Sequence, residues 1–172
     1  MSCCAVVIDT DGNVHYGCEE GLTDRRQFFD AQSKMRELEN GDVLLLTGTV
    51  RAGEKLIHDL NQNQYDIMKI PKEDWFIDKE DESEVEALLI KKDGTVFWIG
   101  GPFEMIALKS PSYYAIGSGG EFAHGVLWHM LSGKKKVTAA DAKKALQRAI
   151  EAACALDDAC ALPTIIETLE VV

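Results

Sequence analysis

A glycine-rich turn between a predicted strand and a predicted helix limits the possible folds of this chain more than any other stretch. Residues Tyr113 to Ile116 form a short apolar run typical of a buried strand, and Gly117-Ser118-Gly119-Gly120 then allow a tight turn. Backbone N–H groups and a serine hydroxyl at a helix N-terminus can meet a negative charge or a reacting group. The turn leads into a helix whose apolar stripe is predicted to consist of Phe122, Val126, Met130 and Leu131.

The turn does not fit the fingerprint of a dinucleotide-binding protein. Phe122 stands where the pattern G-x-G-x-x-G needs a third glycine or alanine, and no alternation of strands and helices surrounds the turn. Two interpretations remain open at this point. The glycines either only let the chain reverse sharply, or they belong to a functional site.

Two hairpins are the strongest local signals in the rest of the chain. Cys3 to Cys18 and Val85 to Gly100 each contain an apolar strand, an Asp-Gly turn and a second apolar strand. Another strand pair, Ser33 to Leu38 with Asp42 to Thr47, is predicted around Asn40-Gly41. Hairpins so far apart in the sequence predict two antiparallel sheets.

Two more helices are predicted from apolar spacing. Val50 to Leu60 has apolar residues at helical intervals. The clearest helix follows Thr138, which forms a capping box with Asp141, and its apolar stripe continues to Leu156. Each helix therefore has one face that must be buried against a neighbour.

The remaining segments complete an α+β architecture. Lys79 to Glu86 is an acidic run, which we interpret as an exposed connection, and Thr164 to Val172 alternates weakly as a last strand. Strands in hairpins, helices between them and a returning strand predict a sandwich of two antiparallel sheets between helical layers.

Composition narrows the functions that the chain can have. With 172 residues and 46% hydrophobic content, residues 1–172 are expected to form a single domain with one substantial core. A formal net charge of −11 argues against a nucleic-acid-binding surface, which needs a basic stripe. We expect a cytoplasmic protein without membrane contact, because no apolar run reaches membrane-spanning length and the N-terminus lacks a signal-peptide pattern.

Neither the cysteines nor the histidines predict a metal site. The five cysteines are an odd number without C-x-x-C spacing, so free thiols are expected. The four histidines lack H-E-x-x-H or a similar spacing. We therefore expect no metal and no other cofactor.

Three motifs together resemble the proteasome β-subunit family, in particular the HslV-type peptidases. They are Ala115-Ile116-Gly117-Ser118-Gly119-Gly120, then Ala149-Ile150-Glu151-Ala152-Ala153, then Asp157-Asp158-Ala159-Cys160. The resemblance covers most of the chain and implies the four-layer αββα fold of N-terminal-nucleophile (Ntn) hydrolases, which include the threonine peptidases. Because the region between Val50 and Val85 is shorter than in that family, one outer helix is expected to be shortened or missing.

In that family the first residue is the nucleophile and its own α-amine accepts the proton. A free α-amine has a pKa of about 7.7–8.0, so it can act as a base near neutral pH. Without a gap, Cys3 aligns with the family's first residue, whereas removal of Met1 would expose Ser2. Both remain candidate nucleophiles, and the chemistry requires that Met1 be removed.

The resemblance also implies an activating charge beside the nucleophile. Lys34 falls at the position of the catalytic lysine, whose cation lowers the pKa values of the nucleophile and the amine. The carboxylate that holds this lysine is Glu19 if the match runs without a gap, whereas a shift by one residue puts Cys18 there.

The remaining site residues are carried over from the same motifs. Ser118 matches the serine of the glycine turn, and Asp157 matches the supporting aspartate, with Cys160 where a serine or threonine is usual. Gly48 matches the glycine whose N–H stabilises the oxyanion. Thr23 matches a residue that pairs with the substrate backbone.

These residues imply a proteasome- or HslV-like peptidase that hydrolyses peptide bonds of unfolded polypeptides inside a homo-oligomeric ring. An ATP-dependent unfoldase is a further candidate partner. The alternative function is a catalytically inactive ring or scaffold subunit, because a retained Met1 would remove the free amine from Ser2 or Cys3.

Overall fold

The first antiparallel sheet contains the N-terminal hairpin. A computed structural model describes residues 2–20, 22–24, 27–29, 34–70, 85–100 and 104–171, with backbone alone for 22–24, 27–29, 51 and 104. The two hairpin strands pair in the register Cys4↔Cys18, and the outer strands pair with one of them each. The sheet has the order β10-β1-β2-β11, formed by β1 (Cys4–Ile8), β2 (Val14–Glu19), β10 (Ser112–Ile116) and β11 (Thr164–Leu169).

The second antiparallel sheet contains both other predicted hairpins. Its five strands follow one another in sequence order, and every described pairing is antiparallel. They are β5 (Met35–Glu37), β6 (Val43–Gly48), β7 (Val85–Ile90), β8 (Val96–Gly100) and β9 (Glu104–Leu108). A separate two-stranded ribbon joins β3 (Leu22–Asp24) to β4 (Gln27–Phe29). The sequence-based prediction of two antiparallel sheets is therefore confirmed.

Helices cover the outer face of each sheet. Helices α2 (Gly120–Leu131) and α3 (Ala139–Leu156) pack side by side on the first sheet, and α1 (Val50–Gln62) packs on the second. A short 3-10 helix, Ile67–Lys69, follows α1. The order of layers is helices, sheet, sheet, helix, which confirms the four-layer α+β sandwich. Among the described residues, α1 is the only α-helix that packs on the second sheet.

Three apolar clusters hold the layers together. One lies between α2, α3 and β1, the second lies between the two sheets, and the third lies between the second sheet and α1. The predicted capping box is present, since Thr138 accepts a hydrogen bond from the Asp141 amide and Asp141 accepts one from Thr138. No helix in the described part of the chain is both long enough and apolar enough to span a bilayer.

The predicted apolar stripe of α2 was partly wrong. The apolar side chains buried on this helix are those of Ala123, Leu127 and Leu131, whereas Phe122 is 41% exposed. Val126 and Met130 are partly buried against the same cluster, so the buried face is centred on Ala123, Leu127 and Leu131 and not on Phe122. Leu156, at the end of α3, is also exposed.

The interpretation of Lys79 to Glu86 as an exposed connection was wrong at its end. Val85 and Glu86 are the first two residues of β7, which pairs with β6 from Gly48↔Val85 onward. Residues 79–84 lie outside the described part of the chain. The acidic composition of the run led us to overlook that its last two residues begin a strand.

Candidate active site

A chain of hydrogen bonds begins at the backbone nitrogen of Ser2, before the first strand. This nitrogen donates to the Ser118 hydroxyl at 3.2 Å, and that hydroxyl donates to Asp157 at 2.5 Å. Asp157 caps the C-terminal end of α3 and accepts further hydrogen bonds from the Ala159 amide at 3.0 Å and from the Cys160 thiol at 3.5 Å. Three segments that are far apart in sequence, at residues 2, 118 and 157–160, are thus joined by hydrogen bonds.

Hydrogen bonds keep Asp157 ionised. Burial opposes its charge, but hydrogen bonds from Ser118, Ala159 and Cys160 outweigh burial and hold the pKa of Asp157 below its usual value. Burial and the nearby carboxylates raise the pKa of the Cys160 thiol, so this thiol is a neutral donor to Asp157. A hydroxyl that donates to a carboxylate has its lone pairs free for the nitrogen of Ser2.

A buried ion pair lies on the other side of residue 2. Lys34 is 2% exposed and Glu19 is fully buried, and the lysine ammonium donates to Glu19 Oε1. The same carboxylate oxygen accepts a hydrogen bond of 3.1 Å from the Cys3 amide. Glu19 ends β2 and Lys34 precedes β5, so the pair connects the two sheets.

Ser2 and Lys34 face one pocket. Its wall continues along the end of β6 and the start of α1. The lining residues are Ser2, Lys34, Leu46, Thr47, Gly48, Thr49, Val50, Gly53 and Glu54. The predicted residues Ser2, Lys34 and Gly48 are therefore brought together at one concave surface.

Cys3 does not share this environment. Its side chain is fully buried in the cluster beneath α2 and α3. Burial, with Glu19 as a further cause, raises the pKa of the Cys3 thiol to about 12, so it is protonated at neutral pH. Successive side chains before and along a strand point to opposite faces, and therefore only one of residues 2 and 3 can face the pocket.

The glycine turn holds Ser2 in place through its backbone. Gly119 donates its N–H to the Ser2 carbonyl at 3.2 Å. Gly117 has a φ of +87°, and a Cβ at this position would lie 2.2 Å from the Ser2 oxygen. The sharp turn and the close approach to Ser2 both require glycine at residue 117, so the two interpretations of the turn are compatible.

Two other predicted residues lie elsewhere. Cys18 packs in the cluster between the sheets, and Glu19 makes the contact with Lys34 instead. Neighbouring side chains on β2 point to opposite faces, so Glu19, the residue of the match without a gap, reaches the lysine and Cys18 does not. Thr23 lies on β3, and its side chain falls outside the described part of the structure.

Sequence reasoning missed Glu86, which contacts the glycine turn directly. Its carboxylate accepts hydrogen bonds from the Gly117 amide at 2.9 Å and from the Trp98 indole N–H at 2.8 Å. Period-two alternation along β7 could have found it, because Glu86 shares a face with Leu88 and Ile90, which pack between the sheets. A carboxylate on that face needs polar partners there.

The described side chains do not form a metal centre. Within residues 2–20, 34–70, 85–100 and 105–171, no three histidine, cysteine or acidic side chains are grouped closely enough to hold an ion. The five cysteines are free thiols, as the sequence predicted.

Solved structures match the whole architecture, although neither a family model nor a curated protein matches the sequence. A eukaryotic HslV from Trypanosoma brucei superposes with a TM-score of 0.72 over 98% of this chain and 99% of that chain, at 20% identity. Thiobacillus denitrificans BPH in complex with epoxomicin gives a TM-score of 0.72 over 99% of both chains, at 14% identity. Another structure of Thiobacillus denitrificans BPH gives a TM-score of 0.70 over 99% of this chain and 98% of that chain, at 17% identity.

These matches agree with the arrangement of the layers. Two antiparallel sheets lie between a helix pair and a further helix, and the superpositions extend over nearly the full length of each chain. The chain therefore has the Ntn-hydrolase fold in the form found in HslV and proteasome-type proteins.

Proposed function

We propose that this protein is an N-terminal-nucleophile peptidase of the proteasome and HslV type, in which Ser2 is the nucleophile after removal of Met1. One observation carries the proposal: Ser2 and Lys34 line the same pocket, while the nitrogen of Ser2 contacts Ser118 and Lys34 is held by Glu19. Full-length superposition on an HslV and on a BPH bound to epoxomicin supports the same class of enzyme.

The α-amine of Ser2 acts as the general base. The amine takes the hydroxyl proton while Oγ attacks the carbonyl carbon of a peptide bond, which gives a tetrahedral oxyanion. The Gly48 N–H, at the end of β6 in the pocket wall, donates to this oxyanion. Collapse expels the leaving amine, which takes the proton back from the α-ammonium, and an ester to Ser2 remains. Water then attacks the ester while the amine takes a proton from it, and the resulting ammonium returns this proton to Ser2 Oγ as the carboxylic acid product leaves.

Lys34 lowers the cost of ionising Ser2. Its ammonium is buried beside the pocket, where a charge acts through little water, and it favours the alkoxide over the hydroxyl. The pairing with Glu19 keeps the ammonium in this position and offsets the cost of burying it. In this proposal Lys34 is an electrostatic activator and Glu19 is its positioning residue.

Ser118 and Asp157 orient the amine. The Ser118 hydroxyl accepts from the nitrogen of Ser2 because Asp157 accepts the proton of that hydroxyl. This directs one N–H of the amine away from the pocket and leaves the lone pair for the proton of Ser2 Oγ. Thr23 is proposed to pair with the backbone of the substrate.

The assembly proposed for this peptidase is a homo-oligomeric ring that encloses unfolded polypeptide substrates. Rings of identical subunits need interfaces that close on themselves, and an ATP-dependent unfoldase would be a partner of such a ring. Light scattering tests the assembly: a ring has several times the mass of one chain, whereas a stable 19.0 kDa particle at micromolar concentration would contradict it.

The activity is tested in two steps on the purified protein. Intact mass spectrometry first establishes whether Met1 has been removed. Protein with a free Ser2 amine is then treated with epoxomicin and with a β-lactone, and peptides are mapped. Labelling at Ser2 together with peptide hydrolysis is the expected result. Protein that lacks Met1 and takes no label would be the catalytically inactive ring or scaffold subunit.

A further inference from the structure

We propose that Glu86 is a positioning residue for this site, which fixes the glycine turn on Ser2 from the opposite sheet. The inference rests on the proposed function for its kinetic consequences, although its structural part can be tested without any activity. Glu86 belongs to β7 of the second sheet, whereas Ser2 and the turn belong to the first. Its carboxylate is thus a further polar link between the two sheets, in addition to the Glu19–Lys34 pair.

The carboxylate is held by two N–H donors, one on each of its oxygens. Oε2 accepts from the Gly117 amide at 2.9 Å, and Oε1 accepts from the Trp98 indole at 2.8 Å. An ionised carboxylate only accepts hydrogen bonds, so it matches two donors. A glutamine of the same shape has one oxygen and one NH2 group and can satisfy only one of them.

The side chain that fixes Oε1 is itself fixed by close packing. A Cβ on Gly100 would lie 2.4 Å from Trp98 Cζ2, so glycine at that position makes room for the indole ring. The Trp98 ring also packs on the Tyr114 ring at a centroid distance of 5.9 Å. The indole N–H is therefore a rigid donor, and it directs the second carboxylate oxygen toward Gly117.

The backbone carbonyl of Glu86 contacts Thr47, at the end of β6 in the pocket wall. The Thr47 hydroxyl donates to the Glu86 carbonyl at 3.2 Å, and Thr47 Cγ2 lies against Gly117, 2.9 Å from where a Cβ would stand. Thr47 also lines the pocket beside Gly48. Glu86 thus contacts both the glycine turn and the strand end that forms the pocket wall.

A displacement of the glycine turn would disturb two hydrogen bonds of Ser2. Gly117 precedes Ser118, whose hydroxyl accepts from the nitrogen of Ser2, and Gly119 donates to the carbonyl of Ser2. If Glu86 positions the turn, its loss should loosen both contacts with Ser2. If Glu86 only stabilises the local structure, its loss should affect the Gly117 amide alone.

The test uses Glu86→Gln, with Glu167→Gln as the matched control. Glu167 accepts a hydrogen bond of 3.1 Å from the Tyr16 hydroxyl on the first sheet, and neither residue lines the pocket. Hydrogen–deuterium exchange is measured at Gly117 and Gly119 in all three proteins. We expect faster exchange at both glycines in Glu86→Gln and unchanged exchange in Glu167→Gln. Faster exchange at Gly117 alone, or at neither glycine, would overturn the proposal.

A kinetic measurement adds the consequence for Ser2. In protein with a free Ser2 amine, Glu86→Gln should lower the maximal rate of β-lactone acylation about tenfold, the effect of one hydrogen bond to a charged group, with half-saturation unchanged. The penalty should shrink in a Trp98→Phe background, because glutamine can then give its oxygen to Gly117 without opposing a second donor. An equal penalty in both backgrounds would contradict the role assigned to the two oxygens.

The two proposals fail in different ways. If the unsubstituted protein with a free amine takes no label, the proposed function fails, and exchange at Gly119 still decides whether Glu86 positions the turn. If the protein takes label but Glu86→Gln reacts at the parent rate, the peptidase stands and the positioning role is wrong.

Discussion

The β1–β2 hairpin carries a buried carboxylate near each end, and the two have different surroundings. At the turn, Asp9 accepts hydrogen bonds from the Asp11 and Asn13 amides and the Asn13 side chain, and it contacts His15 at 3.1 Å. Its partners are thus local, and all lie within six residues. At the opposite end, Glu19 contacts Lys34 from the other sheet and the Cys3 amide, beside the pocket.

The two sets of contacts distinguish a carboxylate that stabilises a turn from a carboxylate that holds a cation beside a pocket. The partners of Asp9 close a tight turn, and His15 continues to Thr168 on β11 at 3.0 Å, so the cluster fastens one end of the first sheet. Glu19 instead holds the Lys34 cation in a pocket that Ser2 also lines. Both carboxylates are buried and hydrogen-bonded, so burial of charge alone does not identify a site; the open pocket beside Lys34 does.

The largest effect is expected for Lys34→Met. Loss of the ammonium beside Ser2 should lower the acylation rate about 10²–10³-fold, by analogy with the loss of one oxyanion donor. It should also lower the free energy of unfolding by about 3–5 kcal/mol, because Glu19 is left buried without its partner cation. Acylation kinetics and denaturant unfolding measure the two effects.

A double variant separates the two effects of Lys34→Met. Glu19→Gln together with Lys34→Met removes both charges, so most of the lost stability should return while acylation stays slow. A double variant that regains the parent acylation rate would show that Lys34 acts through stability and not through its charge.

Asp9→Asn should affect stability and leave the site unchanged. Asparagine has one acceptor oxygen in place of two, so we expect a loss of about 1–3 kcal/mol in the free energy of unfolding. Acylation of Ser2 should proceed at the parent rate, because the Asp9 cluster shares no residue with the pocket. A slowed acylation in the folded variant would remove the distinction between the two ends of the hairpin.

The stability that Asp9 contributes should depend on pH. Burial opposes its charge, but hydrogen bonds with His15 and Asn13 outweigh burial and lower the pKa of Asp9 below its ordinary 3.8. The contribution is therefore complete above about pH 4 and is lost as the pH falls through the lower value of the folded state. The difference in unfolding free energy between the parent and Asp9→Asn should accordingly narrow in acid.

Asp157→Asn should have a smaller effect on rate. Without the full negative charge, Asp157 holds the Ser118 hydroxyl less firmly, and the orientation of the Ser2 amine is relaxed. We expect acylation about tenfold slower, which corresponds to the loss of one charge-assisted hydrogen bond. Asparagine keeps one side-chain oxygen, which can still accept the hydrogen bond from the Ala159 N–H, so the melting temperature should change little.

Much of the fold could be predicted because its signals are local. The Asp-Gly turns fixed both hairpins, and the Thr138 capping box fixed the start of α3. The buried face of α2 could not be predicted, since apolar residues lie on several sides of this helix and its packing on β1 and α3 decides which of them are covered. Glu86 was hidden for a related reason, because its partners Gly117 and Trp98 are contributed by other elements.

The candidate site was predictable by resemblance more than by pattern. Ser118 and Asp157 come from motifs with recognisable spacing, and the Ser118 hydroxyl donates a hydrogen bond to Asp157. Which of Ser2 and Cys3 faces the pocket, and which of Cys18 and Glu19 contacts Lys34, depends on one residue of strand register, which no spacing could decide. The burial of Lys34 was also not visible in sequence, although it is the reason why we expect the substitution to lower stability.

The smallest effect is expected for Cys3→Ala. The Cys3 thiol is fully buried, and burial raises its pKa to about 12, so we do not expect it to be the reacting group. Its loss should lower the free energy of unfolding by about 1 kcal/mol, which is typical of a small change in a core. Acylation should continue at the parent rate, and a loss of all labelling would transfer the role of nucleophile from Ser2 to Cys3.

Mapping of the acylated residue tests the central claim most directly. Protein whose N-terminus is shown by mass spectrometry to be Ser2 is treated with a β-lactone, digested, and sequenced by tandem mass spectrometry. We expect one modified hydroxyl, on Ser2, and no modification when Met1 is retained. Modification of Cys3, or an unmodified N-terminal peptide from protein that lacks Met1, would contradict it.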